Sequence, residues 1–203
     1  LTLREGEDTF NCNMLGRGGW SISPFIDEVE IIDCGAEFIL IVEKDAAMIR
    51  LVEEEFHKKY NCLLITGKGH PDIATRRLVR RLHKEEGLPV YILTDSDSYG
   101  MQICSSYKRG SISLSFESPY LAVPKAKYLG LLPSDLDKFK VPKAARLKMT
   151  EWDIKKAQTM LEYPWIKRNR RWRKELKLML ERKEKAELQA LAKHGITFIT
   201  DVY

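Results

Sequence analysis

No stretch of the 203-residue sequence has the roughly twenty consecutive apolar residues needed to cross a bilayer. No basic-then-apolar segment of the signal-peptide kind opens the given sequence either. Cysteine is scarce. Cys12, Cys34, Cys62 and Cys104 form no C-x-x-C pair, which argues against a zinc knuckle or ribbon. Cys62 and Cys104 lie in apolar or helical contexts and read as reduced core residues of an intracellular protein. The four histidines show no H-E-x-x-H spacing, so a zincin site is excluded as well. Repeats and low-complexity tracts are absent. Gly67-Lys68-Gly69 has the look of a phosphate loop but fails the Walker pattern: Cys62 stands where the first Gly belongs, and Gly69 where Ser or Thr belongs.

What the chain does have is charge and alternating elements. Charged residues make up 31% of it and hydrophobic residues 44%, enough for an ordinary core. The net charge of +5 is uneven. Pro164 to Lys185 holds ten Lys or Arg against three Glu, a local +7, so the remainder sums to −2. Binding potential for a polyanion is thus concentrated in one segment. The chain begins at Leu1 without Met and ends on Ile196-Thr-Phe-Ile-Thr-Asp-Val-Tyr203, which reads as a segment of a longer protein.

Residues 1–30 are Gly-rich and polar and read as a leading segment or interdomain linker. Glu28 to Cys34 forms a short candidate strand. Ala36 to Val42 is a nearly continuous apolar, β-rich run, the signature of a strand covered on both faces. Lys44 to Tyr60 changes to helical spacing, and Cys62 to Thr66 is a second buried strand. Asp72 to Glu86 is a second amphipathic helix, Leu88 to Thr94 a third strand, and Ser98 to Tyr107 a third helix. This alternation predicts an α/β fold with a mainly parallel sheet flanked by helices, Rossmann-like in its winding. Further on, 112–116 and 126–131 are short strand candidates and Ser134 a helix cap. Thr150 and Asp153 form a near capping box for another helix. Trp165 to His194 is expected to be one long helix that closes the chain as a helical extension.

Three acids carry the chemical interest. Asp95 and Asp97 sit just past the third strand, where residues i and i+2 project the same way. Two carboxylates so placed suit a hard cation such as Mg²⁺; equally, they suit a solvated turn with an Asp cap for the next helix. Glu43 ends the first buried strand, at the carboxyl edge where sites of open α/β sheets lie. It also stands where it could favour the N-terminus of the following helix. If the first and third strands are neighbours, the three acids converge, and without a cation they raise one another's pKa. The Gly67–Gly69 turn could present backbone N–H groups and Lys68 to a DNA phosphate, or serve turn geometry alone. In the basic segment, Lys167, Arg168, Arg170 and Arg171 are candidates for DNA phosphates. The alternative is a solvated face, with Trp165 and Trp172 packed on the core.

Three stretches match a known pattern: Val42-Glu43-Lys44-Asp45-Ala46, Ile65-Thr66-Gly67-Lys68-Gly69-His70-Pro71-Asp72, and Asp95-Ser-Asp97-Ser-Tyr99-Gly100. In their order and spacing, and with Leu121 to Gly130, they resemble the Toprim domain of the topoisomerase VI A subunits and of the related meiotic double-strand-break transesterases. The resemblance runs from about Ile31 onward. It implies a Toprim core over 31–149 with a helical extension, 150–203, of the same unit. Residues 1–30 would then lead in from an upstream winged-helix domain. Further implications are Mg²⁺ on Glu43, Asp95 and Asp97, a catalytic role for Glu43, duplex DNA as substrate, a homodimer of A subunits, and an ATPase B subunit of the GHKL type. Such a protein works in the cytoplasm or nucleoid of a prokaryote, or in the nucleus of a eukaryote. Ser98 departs from the family, which has Pro there. The family's nucleophilic tyrosine belongs to the upstream domain, so none of the eight tyrosines here is assigned that role. The rival expectations are another Toprim enzyme, a nuclease or primase, and a non-catalytic module for DNA binding and dimerisation.

Overall fold

The computed structural model describes residues 1–110 and 118–194. In chain order its elements are β1 (Thr2–Glu5), β2 (Asp8–Asn11), β3 (Glu30–Asp33), β4 (Phe38–Val42), α1 (Asp45–Glu53), α2 (Phe56–Lys59), β5 (Cys62–Ile65), α3 (Ile73–Glu85), β6 (Val90–Leu93), α4 (Ser98–Arg109), α5 (Ser118–Leu121), β7 (Lys127–Gly130), α6 (Asp135–Lys138), β8 (Leu147–Lys148), α7 (Glu151–Leu161), α8 (Pro164–Lys167), α9 (Arg170–Arg182) and β9 (Glu184–Lys185). The central sheet has the order β5-β4-β6-β7, with β4 and β5 parallel. This is the α/β arrangement of a Toprim fold. The expected strand over 112–116 falls outside the described residues.

The chain divides into two compact units. One comprises residues 1–92 and 105–128, the other 93–104 and 129–203. In the first unit β4 is buried from Ile39 to Val42, as its unbroken apolar run requires. α3 begins at Asp72, whose carboxylate accepts the Thr75 N–H at 2.7 Å, and buries Leu78, Val79 and Leu82. The expected helix over Lys44–Tyr60 is instead two, α1 and α2. Glu55 adopts φ 54° between them, and a left-handed residue cannot continue an α-helix. Residues 1–30 are not simply a linker. β1 lies between β2 and β3 in an antiparallel sheet, and Leu3, Ile26 and Val29 are buried. Arg81, from α3, ties this segment down by donating to the Ile26 and Val29 carbonyls at 2.6 and 2.7 Å.

Among the described residues, the regular elements of the second unit are helices apart from its sheet residues and the two-residue β8–β9 ladder. α7 starts with a full capping box between Thr150 and Asp153. The single helix expected over Trp165–His194 is broken twice. Asn169 caps α9 by accepting the Trp172 N–H, so α8 and α9 are separate. Lys183 then turns left-handed at φ 53°, and Glu184–Lys185 pair with Leu147–Lys148 as strand. Trp172, Leu176 and Met179 form the buried stripe of α9, at spacings of four and three residues. Ser134 does not cap α6 with its side chain: its hydroxyl and N–H both donate to the buried Glu175 carboxylate, at 2.9 and 3.0 Å.

Candidate metal-binding and nucleic-acid site

Asp95 and Asp97 follow β6 directly, in the second unit. Asp95 is buried, and one carboxylate oxygen accepts the Leu188 N–H at 2.9 Å. Between the two acids, Ser96 exchanges backbone hydrogen bonds with Ala186 in both directions, at 2.8 and 3.1 Å. The loop that carries the acids is therefore pinned to a segment about ninety residues away in sequence. Asp97 is half-buried, and its Oδ1 accepts the Gly100 N–H at 2.7 Å, the bond of a helix cap for α4. Its Oδ2 has no hydrogen-bond partner among the described residues. The cap reading of the D-x-D and its metal reading are thus compatible, since each uses a different oxygen.

Gly100 is where the chain needs the smallest residue. A Cβ there would come within 2.5 Å of the Asp95 carbonyl oxygen and 2.7 Å of Thr94 Oγ1. The first turn of α4 therefore lies against the strand end that presents the acids.

The electrostatics is that of a crowded acidic site with lysines drawn in. Burial pushes the Asp97 carboxyl above its ordinary value, and the charges of Asp95 and Asp153 add to the rise; the Gly100 N–H and Lys185 pull it back. Asp153, on α7, is buried and ion-paired with Lys185 at 2.7 Å. Burial also acts to raise Asp153, but hydrogen bonds from Lys185 and Thr150 outweigh it and hold this carboxyl below its ordinary value of 3.8. Lys156, one turn further along α7, is half-buried, and its Nζ lies 4.1 Å from the Tyr99 ring centroid and 4.4 Å from that of Trp152. Burial lowers its pKa, and Asp97 and Asp153 act to raise it. None of Asp153, Lys156 and Lys185 was singled out from the sequence as part of a site. Asp153 was visible only as a capping residue, and nothing in the spacing of the other two marks them.

The lysine pairing is itself testable. Replacing Lys185 by Met should cost about 3 kcal/mol at neutral pH, because it leaves the Asp153 charge buried without its cation. Since Asp153 titrates below 3.8 when paired, this contribution is complete above that value and is lost as the pH falls below it. Urea unfolding of both proteins at several pH values should show a constant gap down to about pH 4 that then closes; a gap of the same size at pH 2 would refute the pairing.

Glu43 lies in the first unit, directly after β4, and is 6% exposed. Its carbonyl accepts the Gly69 N–H at 2.9 Å and the Thr66 hydroxyl at 3.3 Å. Lys44, not Glu43, occupies the cap position of α1, and it does so without a side-chain bond. The Gly67–Gly69 turn uses its own N–H groups: Lys68 donates to Thr66 Oγ1 at 3.1 Å, and Gly69 to Glu43. Those two donors are not available to a phosphate; the Lys68 ammonium is exposed. Gly67 is held by close approach, since a Cβ would meet Pro71 Cα at 2.8 Å.

Among the described residues, no group of three or more His, Cys, Asp or Glu side chains is assembled that could hold a metal ion. The chemistry of the D-x-D nevertheless fits a hard, oxygen-seeking cation. Asp97 retains an unbonded oxygen, and burial first, then the charges of Asp95 and Asp153, disfavour its ionised form in the absence of a cation. The hydroxyls of Ser96 and Ser98, on either side of it, are buried without partners among the described residues. Magnesium binds through one or two carboxylates and keeps several waters, so two acids suffice for it.

At the end of α8, between the helices and at the start of α9, Lys167, Arg168, Arg170 and Arg171 are all exposed. Lys167 pairs with Glu162 at 2.6 Å, whereas the three arginines make no ion pair among the described residues. Arg170 and Arg171 stand in the first turn of α9, which has no acid. Cations are unfavourable at that end of a helix dipole, so their placement favours an anionic ligand. Trp165 and Trp172 pack edge to face at 4.7 Å, as expected of core-facing rings. No helix among the described residues is long and apolar enough to cross a membrane.

The chain is similar to known proteins along its whole length. A family profile for the Toprim domain of the topoisomerase 6 A subunit and Spo11 matches residues 38–203. The whole chain aligns at 47% identity with 46% of the A3 subunit of DNA topoisomerase 6 from Oryza sativa subsp. indica. It aligns at the same identity with 54% of the A subunit of type 2 DNA topoisomerase 6 from Aeropyrum pernix. The meiotic recombination protein SPO11-1 of Arabidopsis thaliana is 39% identical over 56% of its length. The chain spans about half the length of the curated relatives it matches.

Proposed function

This chain belongs to the Toprim family of the topoisomerase 6 A subunits and Spo11, and we propose that it is the Mg²⁺-binding Toprim part of a type IIB topoisomerase A subunit. Such a protein makes transient double-strand breaks in duplex DNA by transesterification. The observation that carries the reading is the D-x-D loop, with one carboxylate oxygen of Asp97 left unbonded beside the buried, anchored Asp95. Asp95 and Asp97 would hold the ion, with Glu43 as a third ligand or a proton relay. When bound, Mg²⁺ would offset charge on the phosphate and stabilise the departing oxygen.

The protein's own groups set the stage for that chemistry. The Leu188 N–H and the Ser96–Ala186 pair fix the orientation of Asp95, so no reorganisation is needed when DNA arrives. Lys185 neutralises Asp153, which keeps a further negative charge from repelling the phosphate. Lys68, Lys167, Arg168, Arg170 and Arg171 are assigned to the DNA backbone, where they would give a salt-dependent, sequence-independent affinity. The nucleophilic tyrosine is assigned to a part of the full-length protein outside this chain, so this segment alone would not cleave. The proposed organisation is a leading segment over 1–30, a Toprim core over 31–149 and a helical extension over 150–203. A homodimer of A subunits and a GHKL-type ATPase B subunit complete the proposed assembly.

The test is the chemical form of the broken end. The full-length protein with its partners should yield DNA ends covalently attached to protein, formed only with Mg²⁺. Free 5′-phosphate and 3′-hydroxyl ends without an adduct would refute transesterification and favour a hydrolytic Toprim enzyme.

A further inference from the structure

Lys156 holds a position that folding alone does not explain. Its ammonium lies between the rings of Tyr99 and Trp152, at 4.1 and 4.4 Å from their centroids. Tyr99 is two residues past Asp97, and Trp152 is one residue before Asp153. Lys156 and Trp152 are one helical turn apart on α7, and so share a face. The rings orient the cation by their quadrupoles but satisfy none of its three N–H donors. Among the described residues Lys156 forms no ion pair and no hydrogen bond, whereas Lys185 spends its charge on Asp153. Both rings stay open to solvent, Trp152 at 60% and Tyr99 at 38% exposed, so the ammonium is not sealed inside the protein. A partly desolvated cation with unused donors at an open edge is built to meet an anion.

The neighbouring loop identifies the kind of anion: Asp97, two residues before Tyr99, is assigned with Asp95 to the ion of a DNA-cleaving site, and the anion such an ion serves is a phosphate. We propose that Lys156 Nζ binds a non-bridging oxygen of the DNA phosphate seated beside the Asp95–Asp97 pair, aimed there by Tyr99 and Trp152. This inference rests on the D-x-D being the ion site of a DNA-cleaving protein. The lysine then acts as a fixed monovalent counterpart to the metal, holding the phosphate while the ion does the chemistry.

The experiment uses the full-length protein with its partners, carrying Lys156→Met, Lys156→Arg or the double substitution Asp95→Ala/Asp97→Ala, and a short blunt duplex as probe. Lys156→Met should reduce the slope of log affinity against log salt by about 0.9, the value of one lost phosphate contact. Cleavage at saturating DNA should fall about 100-fold with it, the scale seen when one preorganised donor is removed. The Mg²⁺ concentration for half-maximal cleavage and the thermal midpoint should stay as in the parent, and Lys156→Arg should restore the slope and most of the rate. A Lys156→Met protein with the parent slope and rate, while the Asp95/Asp97 variant is dead, overturns the phosphate role alone. Loss in both lysine variants with a lowered thermal midpoint also overturns it, in favour of a packing role. Parent-like cleavage by the Asp95/Asp97 variant instead overturns the ion-site reading on which it depends.

Discussion

Asp97→Asn, in the full-length protein with its partners, is expected to abolish Mg²⁺-dependent double-strand cleavage, by about 10³-fold or more, while leaving the fold intact. In the proposed site the two oxygens of Asp97 do separate work. Oδ1 accepts the Gly100 N–H that starts α4, and an amide oxygen can accept the same bond. Oδ2 is the oxygen left for a cation, and an amide nitrogen in its place is a donor that repels one. Asp97→Ala should lose both functions, with about 1 kcal/mol of stability going with the cap. Asp95 is less forgiving: its removal would leave the Leu188 N–H buried without an acceptor, at about 1–3 kcal/mol. Adduct formation and thermal melting, read side by side, separate these effects. An Asp97→Asn protein that cleaves at the parent rate would show that this carboxylate does not bind the ion.

Gly100→Ala is expected to destabilise the protein by about 3 kcal/mol and to weaken metal binding, although it adds a single methyl group. The new carbon would lie 2.5 Å from the Asp95 carbonyl oxygen and 2.9 Å from Thr94 Cβ. Neither neighbour is the free end of a flexible chain, so α4 must withdraw from the strand end, an overpacking cost of this order. Withdrawal stretches the Gly100 N–H bond to Asp97 and turns the acid. Gly35→Ala is the matched control, because nothing lies within 4 Å of a Cβ there and its backbone has no positive φ. Urea unfolding should place the Gly100 variant far below the control. Stabilities within about 0.5 kcal/mol of each other would contradict the packing argument.

Elements with one dominant local signal were legible in the sequence. The apolar run 36–42 became β4, the Asp72 cap began α3, and the Thr150–Asp153 box began α7. Each is written in adjacent residues. The long terminal helix was misjudged because its hydrophobic spacing continues past Lys183, while β-pairing with Leu147–Lys148 decides the backbone there. Residues 1–30 looked like a linker because their glycines outweigh three scattered core residues, Leu3, Ile26 and Val29, that only tertiary contacts reveal. The D-x-D stood out in the sequence as a candidate, but the groups packed around it did not. The Leu188 N–H, Lys185 and Lys156 reach the site from 59 to 93 residues away, and no periodicity records such meetings. The Gly67–Gly69 turn shows the converse: its sequence invited a phosphate, and the Lys68 and Gly69 N–H groups are bonded within the protein.

The central claim is that Asp95 and Asp97 form a cation site. Calorimetric titration of Mg²⁺ into the full-length protein without DNA tests it most directly, with the parent set against Asp95→Ala/Asp97→Ala. A saturable isotherm in the parent that disappears in the variant, both proteins remaining folded by circular dichroism, is the predicted result. An unchanged isotherm in a folded variant would contradict the account, because the ion would then be held elsewhere and the two acids would only cap and brace the start of α4.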